Sequence, residues 1–239
     1  MSLPFTPIEW DKACDPVRPL KGLRIGLLLD AGCGLPVDPE VREAVAAAAR
    51  LFELAGATIE PMRPFLTGPM LDGMDHFWRM RSYVEMKTLP AALRERVLAY
   101  IRAWADSAAS MSGEAVFNAS HQFYTCRVAT VRACEPFDFV LSPVSPVPAF
   151  PADYASPTND PMRPLAHIAF TVPFNMSEQP ALSVNCGYTR SGLPIGLQIA
   201  GRRFDDLGVL QVGHAFELLR GPQRPWPEPP FAASGSQVA

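Results

Sequence analysis

The feature that most constrains this chain lies between residues 24 and 61, where an apolar run, an amphipathic helix and a second apolar run follow one another. Arg24 to Asp30 (RIGLLLD) has the composition of a strand buried on both faces. After the loop AGCGLPVD, Asp38 stands where a carboxylate would accept the first free helical amides. Pro39 suits the first helical position, where its missing N–H costs nothing, and Glu40 complements the helix dipole. Val41, Val45, Ala48 and Phe52 recur on one helical face, Gly56 is placed to end the helix, and ATIEP (57–61) reads as a second strand. Two strands joined through a helix can pair in parallel, so the segment predicts a βαβ-like unit with a right-handed crossover.

The rest of the chain extends that unit. The first 20 residues hold four prolines and no periodic pattern, which predicts an extended lead-in over 1–20. Residues from about 68 to 133 read as helical. Asp72 to Met86 is rich in Met and aromatic residues, Leu93 to Trp104 continues helical, and Ser112 starts a further helix. Met and aromatic side chains at helical spacing are core packing first, and the lining of a hydrophobic substrate channel second. FDFVL (137–141) reads as a strand running into SPVSPVPAFP, whose prolines forbid regular structure, and then into a polar loop over 152–166. ALSVNC (181–186) and IGLQIA (195–200) predict an antiparallel hairpin turned at Arg190 to Gly192. Asp205 or Asp206 caps a last helix that Gly221 and Pro222 end, and 228–239 reads as a flexible tail. One domain over 21–227 accommodates these elements.

Composition removes several classes of function. The net charge of −3, with no basic tract, argues against nucleic acid and against an anionic membrane surface. No apolar run approaches the roughly 20 residues of a membrane span, and Met-Ser-Leu-Pro-Phe shows no signal peptide. The five cysteines (Cys14, Cys33, Cys126, Cys134, Cys186) are irregularly spaced, without a CxxC pair. They read as free thiols of a reducing cytoplasm rather than as zinc ligands.

Three local patterns could carry chemistry. Gly32 and Gly34 lie between a strand and a helix, with Glu60 ending the next strand, as in a dinucleotide-binding turn. The third glycine of that turn is replaced by Val37, and Pro36 and Pro39 remove amides from the helix entrance. Asp72 and His76 share a helical face with Asp75 nearby, but two ligands do not make a metal site, and a solvated helix face is the simpler reading. Cys33, between strand and helix, could be an activated thiol or an inert structural one, the latter favoured. HExxH, GxSxG and GxxxxGK[ST] are all absent, and neither metal nor cofactor is expected.

The later half carries a set of linked motifs: SPVSPVPAFP, then FTVPFNMSEQPALSVNCGYTRSGLPIGLQIAGRRFDD, then a helix and RPWP. In this order they resemble the late-chain landmarks of the amidase-signature family. RPLKGLRIGLLLD…VDPEVREAVAAAARLFELAGATIE is similar to the unit that follows that family's signature region. The resemblance runs from about Arg18 to Pro227. It implies an α/β fold, a mixed sheet flanked by helices, as the later part of an α/β/α sandwich, with the 68–133 helices partly covering the substrate entrance. It also implies amide chemistry by a Ser nucleophile, a second Ser in a cis peptide and a Lys base, with backbone amides as oxyanion hole. The sequence has no Gly-Gly and no Ser-Ser dipeptide, and its lysines are Lys12, Lys21 and Lys87, none beside such a loop. No catalytic residue carries over. By resemblance Phe174, Asn175 and Met176 lie near the substrate cavity, and Asp205 matches a position that contacts substrate in some relatives. The expectation is a chain that supplies scaffold and pocket for a small-molecule amide, lacks the catalytic half, and forms a homodimer when isolated. Such a dimer would cover the Met-rich stretch from Met70 to Met86 and a sheet edge near Arg24 to Leu29. A non-catalytic binding or scaffold protein and a dinucleotide-binding protein are the alternatives.

Overall fold

The computed structural model describes Pro7, Ile8 and residues 17–225. The expected tail over 228–239 and most of the expected lead-in lie outside those residues. Five strands form one mixed sheet in the order β2-β1-β3-β5-β4. They are β1 (Arg24–Leu27), β2 (Thr58–Pro61), β3 (Phe139–Pro143), β4 (Ala181–Tyr188) and β5 (Pro194–Ala200). β1 pairs in parallel with β2 and β3, while β5 pairs antiparallel with β3 and β4.

Helix α1 (Pro39–Leu54) forms as its sequence dictates: the Asp38 carboxylate accepts from the Glu40 amide at 2.8 Å, and Val41, Val45, Ala48 and Phe52 are buried. It packs on one sheet face beside α7 (Asp206–Arg220), where the Phe52 and Phe216 rings stack with centroids 5.3 Å apart. Ile25, Phe139, Leu141, Leu197 and Ile199 point into this layer. The opposite face sends Val140 and Ala200 into a second core against α2 (Gly68–Lys87), α5 (Gly113–Cys134) and α6 (Val172–Ser177). Successive side chains of β3 thus alternate between two helical layers, which defines an α/β/α sandwich.

Four details differ from the reading of the sequence. The 93–104 stretch breaks into α3 (Ala91–Arg94) and α4 (Ala99–Asp106). β1 ends at Leu27, where its partner β2 ends at Pro61. β3 runs on to Pro143, which is tolerated because β3 pairs with β1 only as far as Leu141. Finally, β1 is flanked by β2 and β3, so Arg24 to Leu29 is no sheet edge, and Met74 and Met86 of α2 are buried at 0% and 7% exposure. The two surfaces expected to drive self-association are therefore largely covered within the chain itself.

Candidate functional site

Three cavities bring the chemistry-bearing segments together. The first lies between α5 and α6, with a volume of about 370 Å³. Pro173 fits the opening turn of α6, and Glu178 closes the helix with a left-handed φ of 60°. Asn175 and Met176 line this cavity with Phe123, Tyr124 and Arg127. Phe174, one residue earlier, points the other way and is 1% exposed in the core. Arg127 donates through Nε to the Met176 carbonyl at 2.9 Å and pairs with Glu178, which also pairs with Arg203. These ion pairs tie α5 and α6 to the 201–205 turn. Asp205 does not line the cavity: its Oδ1 accepts from the Gly208 amide at 3.1 Å as the N-cap of α7. A Cβ at Gly208 would run into that carboxylate, so a larger residue there would push the cap aside.

The second cavity, about 160 Å³, is lined by Cys33, Gly34, Asp72, Asp75, Met162 and Arg163 among others. Beneath it Asp75 and Arg79 form a buried ion pair at 2.6 Å, with side chains 11% and 3% exposed. The Trp104 indole N–H donates to the other oxygen of Asp75 at 2.8 Å. Arg79 reaches on to Ser107 Oγ at 2.8 Å and to the Pro161 carbonyl at 2.9 Å. Tyr100 hydrogen-bonds Ser156 Oγ and the Asp160 carbonyl. The network clamps α2, α4 and the 152–166 loop together. Asp72 and His76 are exposed, but Asp75 is not part of a solvated face: it faces inward because Arg79 and Trp104 satisfy it. Among the described residues no three His, Cys, Asp or Glu side chains could hold a metal ion.

Cys33 opens onto this cavity, yet burial pushes its thiol up to about 11, with the Asp72 carboxylate adding to the effect. An activated thiol needs the reverse. The neighbouring glycines serve packing: a Cβ on Gly32 would meet the Leu66 carbonyl at 2.6 Å, and one on Gly34 the Ala166 carbonyl at 2.4 Å. The Leu35 amide donates to Ala166, the Asp38 amide to Pro146, and Glu60 is held by Arg24. This leaves no open phosphate cradle of the dinucleotide kind.

The third cavity, about 320 Å³, lies between two of the sequence motifs, the proline-rich run and the hairpin, although none of its residues was a candidate site residue. Val144, Ser145, Val147 and Pro148 of the proline-rich run form one wall, and Ser183, Asn185 and Gly196 of the hairpin contribute another. The prolines announce an irregular segment, but nothing in the local sequence shows that it folds back over β4 and β5.

This mixed sheet between helical layers is the architecture that the resemblance implied, and the amidase family model matches residues 11–210. The chain belongs to the amidase-signature family. It is 30% identical over 234 residues to the A subunit of the glutamyl-tRNA(Gln) amidotransferase of Myxococcus xanthus (strain DK1622), a match covering 87% of this chain and 47% of that protein. A bacterial aryl acylamidase of the same family superposes with a TM-score of 0.75 at 24% identity, over 90% of this chain and 46% of that one. A 6-aminohexanoate cyclic dimer hydrolase, determined with its substrate, superposes with a TM-score of 0.72 at 21% identity, over 93% of this chain and 49% of the other. The chain thus spans about half the length of each of these three relatives. No helix among the described residues is long and apolar enough to cross a membrane.

Proposed function

We propose that this chain is the scaffold and substrate-pocket half of an amide-hydrolysing enzyme, and that the Ser–Ser–Lys chemistry is supplied from outside these 239 residues. One observation carries the reading: the chain matches about half of the fold of a family member, while the sequence contains neither the Gly-Gly nor the Ser-Ser dipeptide of a signature loop. The lysines give no substitute base. Lys87 ends α2 over the Tyr83 ring at 4.2 Å, Lys21 is exposed beside Gly56, and Lys12 lies outside the described residues.

In this reading Asn175 and Met176 face the substrate, Phe174 supports them from beneath, and Asp205 fixes the turn that carries Arg203. The substrate is a small or aromatic amide, in keeping with the name of the aryl acylamidase relative. The net charge of −3 gives no reason to assign this chain a nucleic-acid contact, although relatives are named for a tRNA amidotransferase. Free thiols at Cys33, Cys126, Cys134 and Cys186 support a cytoplasmic location.

Complementation tests the proposal. Mixing the chain with the remaining, catalytic portion of an aryl acylamidase relative should give aniline release from anilides that neither part gives alone. Stable association without turnover, across several catalytic portions, would favour the non-catalytic scaffold instead.

A further inference from the structure

The cavity between α5 and α6 joins an unbalanced charge to an aromatic wall. Arg127 and Glu178 are its charged lining residues, and they pair at 2.5 Å. Glu178 gives its other oxygen to Arg203, so two guanidiniums share one carboxylate. Asp205, two residues beyond Arg203, is turned to the N-terminus of α7, where it caps the Gly208 amide. A single arginine would hold Glu178 and leave the cavity neutral, whereas the second leaves one positive charge over. Arg127 Nε donates to the Met176 carbonyl at 2.9 Å and Nη2 to Glu178, which fixes the plane of the guanidinium. Nη1 makes no hydrogen bond among the described residues, and the side chain is 42% exposed, so water and ligands reach the charge.

Phe123, Tyr124 and Met176 form the apolar side of the same cavity. Phe77 and Trp78 of α2 hold the Phe123 ring edge to face, with centroids 5.1 and 5.4 Å away. A ring braced from two neighbours keeps its orientation, so an aromatic ligand meets a surface already in place. The Met176 thioether adapts to whatever ring lies against it. The volume of about 370 Å³ suits a one-ring molecule with short substituents.

A ligand for this cavity has to match both halves, with a ring for the wall and a negative charge for the surplus cation. We infer that the α5–α6 cavity binds an aromatic carboxylate, its ring against Phe123 and Met176 and its charge beside Arg127. Applied to the substrate, this means an aryl amide with a carboxylate on its ring, a statement that rests on the function proposed above. The binding itself does not rest on it.

The pair para-acetamidobenzoate and para-acetamidobenzamide tests the inference, because the two share ring, amide and shape and only the first is charged at neutral pH. Thermal unfolding of the 239-residue chain with each ligand in excess, at a chain dilution that sediments as monomer, gives both affinities. In low salt the carboxylate should bind about fivefold more tightly, and added salt should shrink the gap. Arg203→Met, which leaves Arg127 in place, should narrow the gap, and Glu178→Gln should widen it. Phe123→Leu should weaken both ligands alike. Equal affinities, stabilisation by neither ligand at millimolar concentration, or a gap unmoved by both charge variants would overturn the assignment. Should the variants fail to fold, the ligand pair and its salt dependence on the unaltered chain decide alone. A carboxylate preference in binding, with no turnover of para-acetamidobenzoate by the complemented enzyme, would uphold the assignment and count against the proposed function instead.

Discussion

Leu197 shows most directly what one side chain contributes. It is 0% exposed, sits opposite Val184 and Pro143, and belongs to the core under α1 and α7. Leu197→Ala removes buried methyl groups and leaves a cavity in a central strand, so denaturant unfolding should show a loss of about 2–4 kcal/mol. A loss below about 0.5 kcal/mol would contradict the placement of β5 at the centre of the sheet. The cysteines make a second prediction at this scale. Burial raises the Cys33, Cys134 and Cys186 thiols from 9.0 to about 11. A thiol that is harder to ionise in the folded state than in the unfolded one stabilises the unfolded state once the pH passes the unfolded value. The fold is therefore fully stable below about pH 9 and loses stability as the pH climbs towards 11. Unfolding under reducing conditions should show stability falling between about pH 9 and pH 11, by less when Cys134 or Cys186 is replaced by Ala. A pH-independent plateau across that window would contradict the burial assigned to them. Iodoacetamide should modify Cys33 slowly at about pH 7.5 for the same reason.

At the scale of elements, the Asp75–Arg79–Trp104 network joins α2, α4 and the 152–166 loop through groups that water no longer reaches. Removing one charge strands the other: Arg79→Met should destabilise by about 3–5 kcal/mol and expose the 152–166 loop to limited proteolysis. Unchanged proteolysis would show that the loop is held by its own turns. This network also marks where sequence reading stops. Asp38, Pro39 and the Val41–Phe52 stripe foretell α1 because caps and helical periodicity are local. The hairpin is legible for the same reason: alternating apolar residues flank a turn in which Gly192 adopts a φ of +90°. Asp75 reads as a surface residue because Trp104, one of its two partners, lies on another helix and 29 residues away. Of the candidate pocket residues, the TVPFNM block locates Asn175 and Met176 on a cavity but does not show that Phe174 points into the core. The cavity between the hairpin and the proline-rich run depends on a fold-back of that run, which leaves no local signal.

At the scale of the chain, these 239 residues span about half the length of the amidotransferase subunit, the aryl acylamidase and the cyclic dimer hydrolase compared above. Its sheet has β2 and β4 as edges among the described strands, and α5 presents Phe117, Tyr124 and Val131 at 62%, 68% and 40% exposure. These three lie seven residues apart, on one side of the helix. Unpaired strand edges and apolar stripes favour association with another chain. Sedimentation of the isolated chain at micromolar concentration should therefore show a homodimer, and Tyr124→Glu should shift it towards monomer. A clean monomer that binds no hydrophobic dye would show that the chain closes its own core.

On the function proposed for it, this chain holds scaffold and pocket while the amide chemistry comes from elsewhere. Turnover by the purified 239-residue chain alone, measured as ammonia or aniline release from a panel of aliphatic and aryl amides, tests that division most directly. No release above the uncatalysed background is expected on any member of the panel. Release that survives rigorous purification and disappears in Cys33→Ala would contradict it, and would assign the chemistry to a thiol whose burial holds it protonated.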